Sequence, residues 1–381
     1  MKILVLGAGR MGLGAAYDLA HNSDGVAAVT VADIDLERAR AVVSTVGSAK
    51  LTPAHVDVND PAQVVALMRG HDAVISCVTY YHNLQLARAA IEARANFCDL
   101  GGNNAVVASE LALDAEARAA GINIIPDCGL APGMVSVLAA HGAARFDELE
   151  AIHIRVGGLP QSPRPPLNYQ IVFSVEGLIN EYVERARVIR GGQIVEVESL
   201  AEIEALEFPA PYGRMEAFQT SGGTSTLPDT FQGRLQELDY KTIRYPGHCG
   251  AFKLFVDLGL AASEEIEVDG VRVRPRRLLG EMLLRHLPAD EPDVVLIRLA
   301  FRGRTAGRDA RLRYDIIDRF DERTGLSAMM RTTAFPASII AQMMAQGETT
   351  GRGALPQELV VPPDKFVAAL AARDIRINEQ Q

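Results

Sequence analysis

Short, wholly apolar runs alternate with amphipathic stretches through the first 130 residues. Residues 3–6 (ILVL), 26–32 (VAAVTVA), 55–60 (HVDVND), 73–78 (AVISCV), 96–100 (NFCDL) and 122–126 (INIIP) are expected to be strands. Residues 13–20, 37–46, 61–68, 84–93 and 111–120 between them carry helical periodicity. Asp60 followed by Pro61 is a cap residue with proline at the first helical position. Six strands alternating with helices predict an α/β unit, a doubly wound parallel sheet of Rossmann type.

From Ala131 the pattern changes. Pro132-Gly133 open a helix to about residue 145, a natural bridge between domains. Strand-like runs then follow at 151–156, 170–174, 187–197, 266–273, 294–302 and 310–319, the last with partial alternation of apolar and charged residues. They predict an α+β domain whose mixed or antiparallel sheet is covered on one face by helices. Residues 337–346 (ASIIAQMMAQ, after Pro336) and 365–372 read as helices of a tail that returns to the first domain. The expected division is 1–130 with 335–381, and 131–334. The Met343-Met344 pair reads as core filling.

Composition changes little in this picture, but charge excludes several classes. The net charge of −10 argues against general nucleic-acid or anionic-membrane binding. Glycines and Arg10 interrupt the N-terminal apolar run, so neither a signal peptide nor a membrane span is expected, which favours a cytoplasmic protein. Cys77, Cys98, Cys128 and Cys249 are widely spaced without a C-x-x-C pair, and are expected to be reduced thiols. No metal site is suggested.

Chemistry begins in MKILVLGAGRMG (1–12), where Gly7, Gly9 and Gly12 stand in G-x-G-x-x-G spacing between a strand and a helix. That context lets a pyrophosphate approach the backbone and meet free N–H groups at the helix start. Asp33, 21 residues beyond Gly12, is placed to accept both ribose hydroxyls, and Asp35 follows with no Arg or Lys before Arg38. A 2′-phosphate would meet negative charge there, so NAD is the expected cofactor. The dinucleotide is expected against Gly7, Gly9, Arg10, Met11 and Gly12, with Asp33 at the ribose, Asp57 near the adenine, and Cys77, Val78 and Thr79 at the end of the fourth strand. Three polar groups leave strand ends where ligands sit in such sheets: 80–83, 99–104 and 127–128. Each has a plainer alternative: Tyr80 and Tyr81 as half-buried aromatics, Asn103 and Asn104 as helix caps, Asp99 as a turn former. In the second domain, TSGGTSTL (220–227) supplies hydroxyls on a flexible backbone. KTIRYPGH (241–248) gathers Lys241, Arg244, Tyr245 and His248. Arg244 is suited to bidentate capture of a carboxylate, and His248 either titrates near neutrality or is structural. No Ser-His-Asp order, H-E-x-x-H or Walker loop is present.

The set MKILVLGAGRMG, CDLGGN (98–103), CGLAPGM (128–134), GGLP (157–160) and KTIRYPGH resembles the saccharopine dehydrogenase-like superfamily from Met1 to at least Phe335. Within it the chain is most similar to the L-lysine 6-dehydrogenase branch. The resemblance implies a Rossmann domain with an inserted substrate and dimerisation domain, and a homodimer or higher homo-oligomer. Saccharopine reductases usually carry an Asn-Arg-Asp-Ser type stretch where Thr220-Ser221-Gly222-Gly223 stands, and a Cys where Val156 precedes GGLP. Loss of that arginine implies a substrate without saccharopine's glutamate arm, such as lysine. The implied reaction is NAD-dependent oxidative deamination of the ε-amine of L-lysine to 2-aminoadipate 6-semialdehyde, which cyclises to piperideine-6-carboxylate, with release of ammonia. Asp99, Asp127 or His248 is the implied base. Arg244 with Thr224 would hold the α-carboxylate and Tyr80 or Asp127 the α-amine, while Lys241 and Tyr245 complete the substrate set. Alternatives are a saccharopine- or carboxynorspermidine-type reductase joining an amine and an aldehyde, and a non-catalytic NAD-binding sensor or scaffold.

Overall fold

Of β1 (Lys2–Leu6), only the first residue is exposed, as expected of a central parallel strand covered on both faces. The computed structural model describes residues 1–381. After β1 come α1 (Arg10–His21), β2 (Ala28–Asp33), α2 (Leu36–Val46), β3 (Leu51–His55), α3 (Pro61–Met68) and β4 (Ala73–Ser76). Next are α4 (Asn83–Ala93), β5 (Asn96–Asp99), α5 (Asn104–Leu111), α6 (Asp114–Ala120) and β6 (Asn123–Ile125). Every pairing is parallel and the spatial order is 3-2-1-4-5-6, so the winding reverses between β1 and β4. The third strand lies earlier than its apolar pattern suggests. Leu51 pairs with Val29, and Pro53 is tolerated because the strand is at the sheet edge. The expected 55–60 strand is a turn in which Asp57 accepts from the Asn59 amide. The expected helix at 111–120 is divided, with α5 capped by Asn103 through the Ala105 and Val106 amides.

A turn at 130–134 leads to α7 (Val135–Ala143), then β7 (Glu148–Pro160), α8 (Val175–Val183), β8 (Ala186–Arg190), β9 (Gln193–Val197), β10 (Glu204–Phe208) and β11 (Gly213–Gln219). Next come α9 (Leu227–Phe231), β12 (Glu237–Arg244), α10 (His248–Asp257), β13 (Ile266–Val268), β14 (Val271–Val273), α11 (Pro275–His286), β15 (Asp293–Thr305) and β16 (Arg308–Arg319). The chain ends with α12 (Ala328–Gln346), β17 (Gly353–Ala354), α13 (Gln357–Val360), α14 (Pro363–Ala371) and β18 (Asn378–Gln380). The second sheet has the order 10-11-12-7-15-16-18, with the β8–β9 hairpin attached to β12. Only β12 and β7 run parallel in it, so the sheet is mixed. The expected run 187–197 turns at Gly191-Gly192 into two strands, and 266–273 turns at Asp269-Gly270. Residues 170–174 form no strand: Ile171 donates to Pro288 and the Gln170 side chain to Glu291, so this backbone is satisfied by a loop.

The chain divides into two units: Met1–Arg145 with Ser225–Thr230 and Met330–Arg376, and Phe146–Thr224 with Phe231–Met329 and Ile377–Gln381. The expected bridging helix, α7, belongs to the first because it packs on α13 and α14. β17 adds a seventh, parallel strand beside β6. Arg373, after α14, reaches the buried Asp18 of α1 at 2.6 Å and ties the tail to the Rossmann core. No helix is long and apolar enough to cross a membrane. All four cysteines are free thiols.

Candidate active site

The glycine loop is built for close approach. Gly7 takes φ +98° while its amide donates to Ala32, and a Cβ on Gly12 would lie 1.8 Å from the Gly7 carbonyl oxygen. Gly9 faces open space, and α1 begins there with no side-chain cap and no acidic residue in its first turn. Its amides are therefore available to an anion. The Cys77 carbonyl and the Val78 side chain close on Gly7, bringing the end of β4 against the loop, and Thr79 follows directly. Arg10 and Met11 open α1, exposed and partly exposed. Asp33 ends β2 with its carboxylate accepting from the Ala8 amide at 2.7 Å and the Asp35 amide at 2.9 Å. The nearby arginines are engaged with acids: Arg38 with Asp35, Arg40 with Glu37. These residues fit a dinucleotide, with the pyrophosphate at Gly7–Gly12 and a ribose at Asp33.

Beyond the ends of β5 and β6 three acids are buried together. Asp99 Oδ1 accepts from the Gly101 amide at 2.6 Å and the Asp127 amide at 3.2 Å, which favours its ionised form, although burial raises its pKa. Its Oδ2 and both oxygens of Glu110, on α5, have no donor in the chain. One proton on Glu110, shared with Asp99, resolves both. Burial, and then the Asp99 charge, push Glu110 up to about 11, so Glu110 keeps its proton at neutral pH. The Asp99 charge, after burial itself, raises the neighbouring Asp127 to about 8. Asp127 sits at φ +60° with Oδ2 accepting from Ser225 Oγ, while Oδ1 has no donor in the chain and lies over Gly101. A Cβ on Gly101 would be 1.8 Å from Oδ1, and one on Gly102 would strike the Tyr80 ring. Tyr80 stacks on the exposed Tyr81 with centroids 4.1 Å apart. The Ser225–Thr230 segment is secured by Thr226 and Thr230, which both donate to Glu358 Oε1.

In the second unit Arg244, at the end of β12, is 2% exposed. Its Nε donates to Tyr182 Oη at 2.9 Å and its Nη1 to the Ile243 carbonyl at 2.9 Å, and its guanidinium lies over the Tyr169 ring. His248 faces Tyr182 Oη with Nε2 at 3.0 Å and donates from Nδ1 to the Leu167 carbonyl, also at 3.0 Å. Burial and the Arg244 charge push it down to about 3. A neutral His248 therefore accepts a hydrogen bond from the Tyr182 hydroxyl, whose oxygen in turn accepts from Arg244. The structure thus joins His248 to Arg244 as support and spends both ring nitrogens on it, while Asp99 and Asp127 meet in the first unit. Thr224 donates to the Arg187 carbonyl, Lys241 to the Glu202 carbonyl and the Glu204 carboxylate, and Tyr245 to the Pro160 carbonyl. None of the three joins the Arg244 cluster through these bonds. Asp57 accepts from its own turn.

Sequence reasoning missed Glu110, Ser225 and Tyr182. Glu110 had a signal: it falls three residues after Val107 and is buried on the same side of α5. Ser225 lies inside the hydroxyl-rich run already singled out.

Residues 3–125 match the family model described as saccharopine dehydrogenase NADP binding domain, and residues 129–375 the saccharopine dehydrogenase C-terminal domain. The chain is 28% identical over 250 residues to a saccharopine dehydrogenase [NADP(+), L-glutamate-forming] of Pyricularia oryzae, covering 62% of this chain and 53% of that one. It is 22% identical to a carboxynorspermidine synthase of Vibrio cholerae over 97% of this chain and 94% of that one. The chain spans about half the length of the saccharopine dehydrogenases it matches. The apo saccharopine dehydrogenase (L-Glu forming) of Saccharomyces cerevisiae shares the fold, with TM-score 0.81 and 20% identity over 100% of this chain and 99% of that one.

Proposed function

The chain belongs to the saccharopine dehydrogenase family, and from that premise we propose that it oxidises the ε-amine of L-lysine with NAD⁺ to an imine, which water hydrolyses to ammonia and 2-aminoadipate 6-semialdehyde. When bound, the oxidised dinucleotide supplies a hydride acceptor for the ε-carbon. Asp33, crossed by two backbone amides and flanked by Asp35, favours a ribose with free hydroxyls over a 2′-phosphate, which supports NAD.

The ε-ammonium must lose a proton before its carbon gives up a hydride. Asp127 is the group suited to take it: burial beside ionised Asp99 gives it a pKa of about 8, and Oδ1 is uncommitted. This raised carboxylate is the observation that carries the proposal. Asp99 acts through Asp127 rather than on substrate. Arg244 would hold the α-carboxylate, with His248 and Tyr182 fixing the guanidinium instead of moving protons. The run Thr220–Gly223, without the arginine of saccharopine reductases, supports a substrate lacking a glutamate arm.

Reductive joining of an amine to an aldehyde is the second reading, favoured by the match to carboxynorspermidine synthase along nearly the whole of both chains. Steady-state rates of NAD⁺ reduction with lysine, set against saccharopine and carboxyalkyl polyamines, separate the two. Turnover of saccharopine alone would assign the second.

A further inference from the structure

Arg244 is nearly sealed from water yet under-used. Nε and Nη1 have partners, and Nη2 donates to nothing in the chain. Nη2 is therefore the edge of the guanidinium that the chain leaves for a ligand. Glu181 on α8, beside Tyr182, is the acid whose charge acts on Arg244, and Arg244 is the one charge that acts on Glu181. Burial pushes Glu181 up to about 7, with Arg244 pulling the other way. Its charge acts on Tyr169, Tyr182, Tyr240 and Arg244, and the residue remains partly exposed. The carboxylate and the guanidinium form no direct ion pair and no hydrogen bond, although neutralisation alone would bring them together in a forked contact. Arg244 is fixed from one side by Tyr182 and His248 and backed by Tyr169, so its unused edge is fixed too.

From this pairing of an acid with a half-vacant guanidinium we infer that Glu181 and Arg244 together form a receptor for an α-amino-acid head group, Arg244 Nη2 taking the carboxylate and Glu181 the α-ammonium. The inference rests on the lysine reading and adds the residue that selects for the α-amine. Neither Tyr80 nor Asp127 is then needed for that role. The two opposite charges of a zwitterion complete the two charges the protein leaves apart, and the aromatic walls keep water from competing.

The test is calorimetric binding to the full chain, without turnover, of two ligand pairs that differ only at the α-amine: L-lysine against 6-aminohexanoate, and L-norleucine against hexanoate. Wild type is expected to bind the α-amino member of each pair roughly tenfold or more tighter. Glu181→Gln should abolish that preference while leaving affinity for 6-aminohexanoate and hexanoate within about twofold. Glu181→Asp, which keeps the charge, should retain part of the preference, and it serves if the glutamine variant fails to fold. Equal weakening of all four ligands in Glu181→Gln, or no α-amine preference in wild type, overturns the inference. Glu181-dependent norleucine binding without lysine turnover would sink the substrate reading and keep the head-group receptor. Lysine turnover with no Glu181 dependence would do the reverse.

Discussion

The roles proposed for Asp127 and Asp99 rest on their different surroundings. Two amides donate to Asp99 and favour its charged form, although burial raises its pKa, and burial followed by the Asp99 charge pushes Asp127 up to about 8. A base acts when deprotonated, so oxidative kcat/KM should rise with pH and level off above about 8. Asp127→Asn, which tolerates the left-handed backbone, should lower kcat/KM by roughly 10²–10⁴-fold and remove that limb in a rate-against-pH series. Asp99→Asn should instead move the limb to lower pH, because it deletes the charge that raises Asp127. An unmoved limb would show that Asp99 does not set it. Linkage gives a stability counterpart. Folding raises the Asp127 pKa from 3.8 to about 8, so the folded state binds the proton more tightly and stability falls as pH rises across that window. The stability of Asp127→Asn relative to wild type should therefore grow between pH 4 and pH 8, by on the order of 5 kcal/mol, in urea titrations at the two pH values.

At the scale of elements, the alternation of apolar runs and helices was sufficient for the Rossmann order, since each buried parallel strand writes its own signal. It was insufficient for β3, an edge strand half exposed and containing Pro53, and for α12. That helix was expected to begin after Pro336 but starts at Ala328 and carries the proline inside, among buried Ala334, Phe335 and Ala337. The site was legible where a backbone demand shows in sequence, as at Gly7 and Gly12. It was illegible where function depends on tertiary neighbours. Nothing local reveals that Ser225 meets Asp127, that Glu110 meets Asp99, or that His248 is walled in by Tyr182 and Leu167. The C-terminal return depends on Arg373 and Asp18, both buried. Removing one partner strands the other, so Arg373→Met should cost roughly 3–5 kcal/mol in denaturant unfolding, whereas breaking a solvent-screened pair such as Lys253–Asp257 should leave the unfolding midpoint unmoved.

For the whole molecule, membership of the saccharopine dehydrogenase family sets the chemistry's neighbourhood, and the proposal of NAD and lysine within it rests on Asp33 and the Arg244 cluster. Asp33 and Asp35 predict that NAD⁺ outperforms NADP⁺ by about tenfold or more in kcat/KM, and that Asp33→Ser narrows the gap; a chain that prefers NADP⁺ would refute this use of Asp33. The most direct test of the central claim follows nicotinamide absorbance with purified protein, NAD⁺ and L-lysine, together with ammonia release. Lysine-dependent reduction of NAD⁺ with one ammonia formed per reduced nicotinamide is the predicted result. No signal with lysine, but turnover of saccharopine or a carboxyalkyl polyamine, would contradict it.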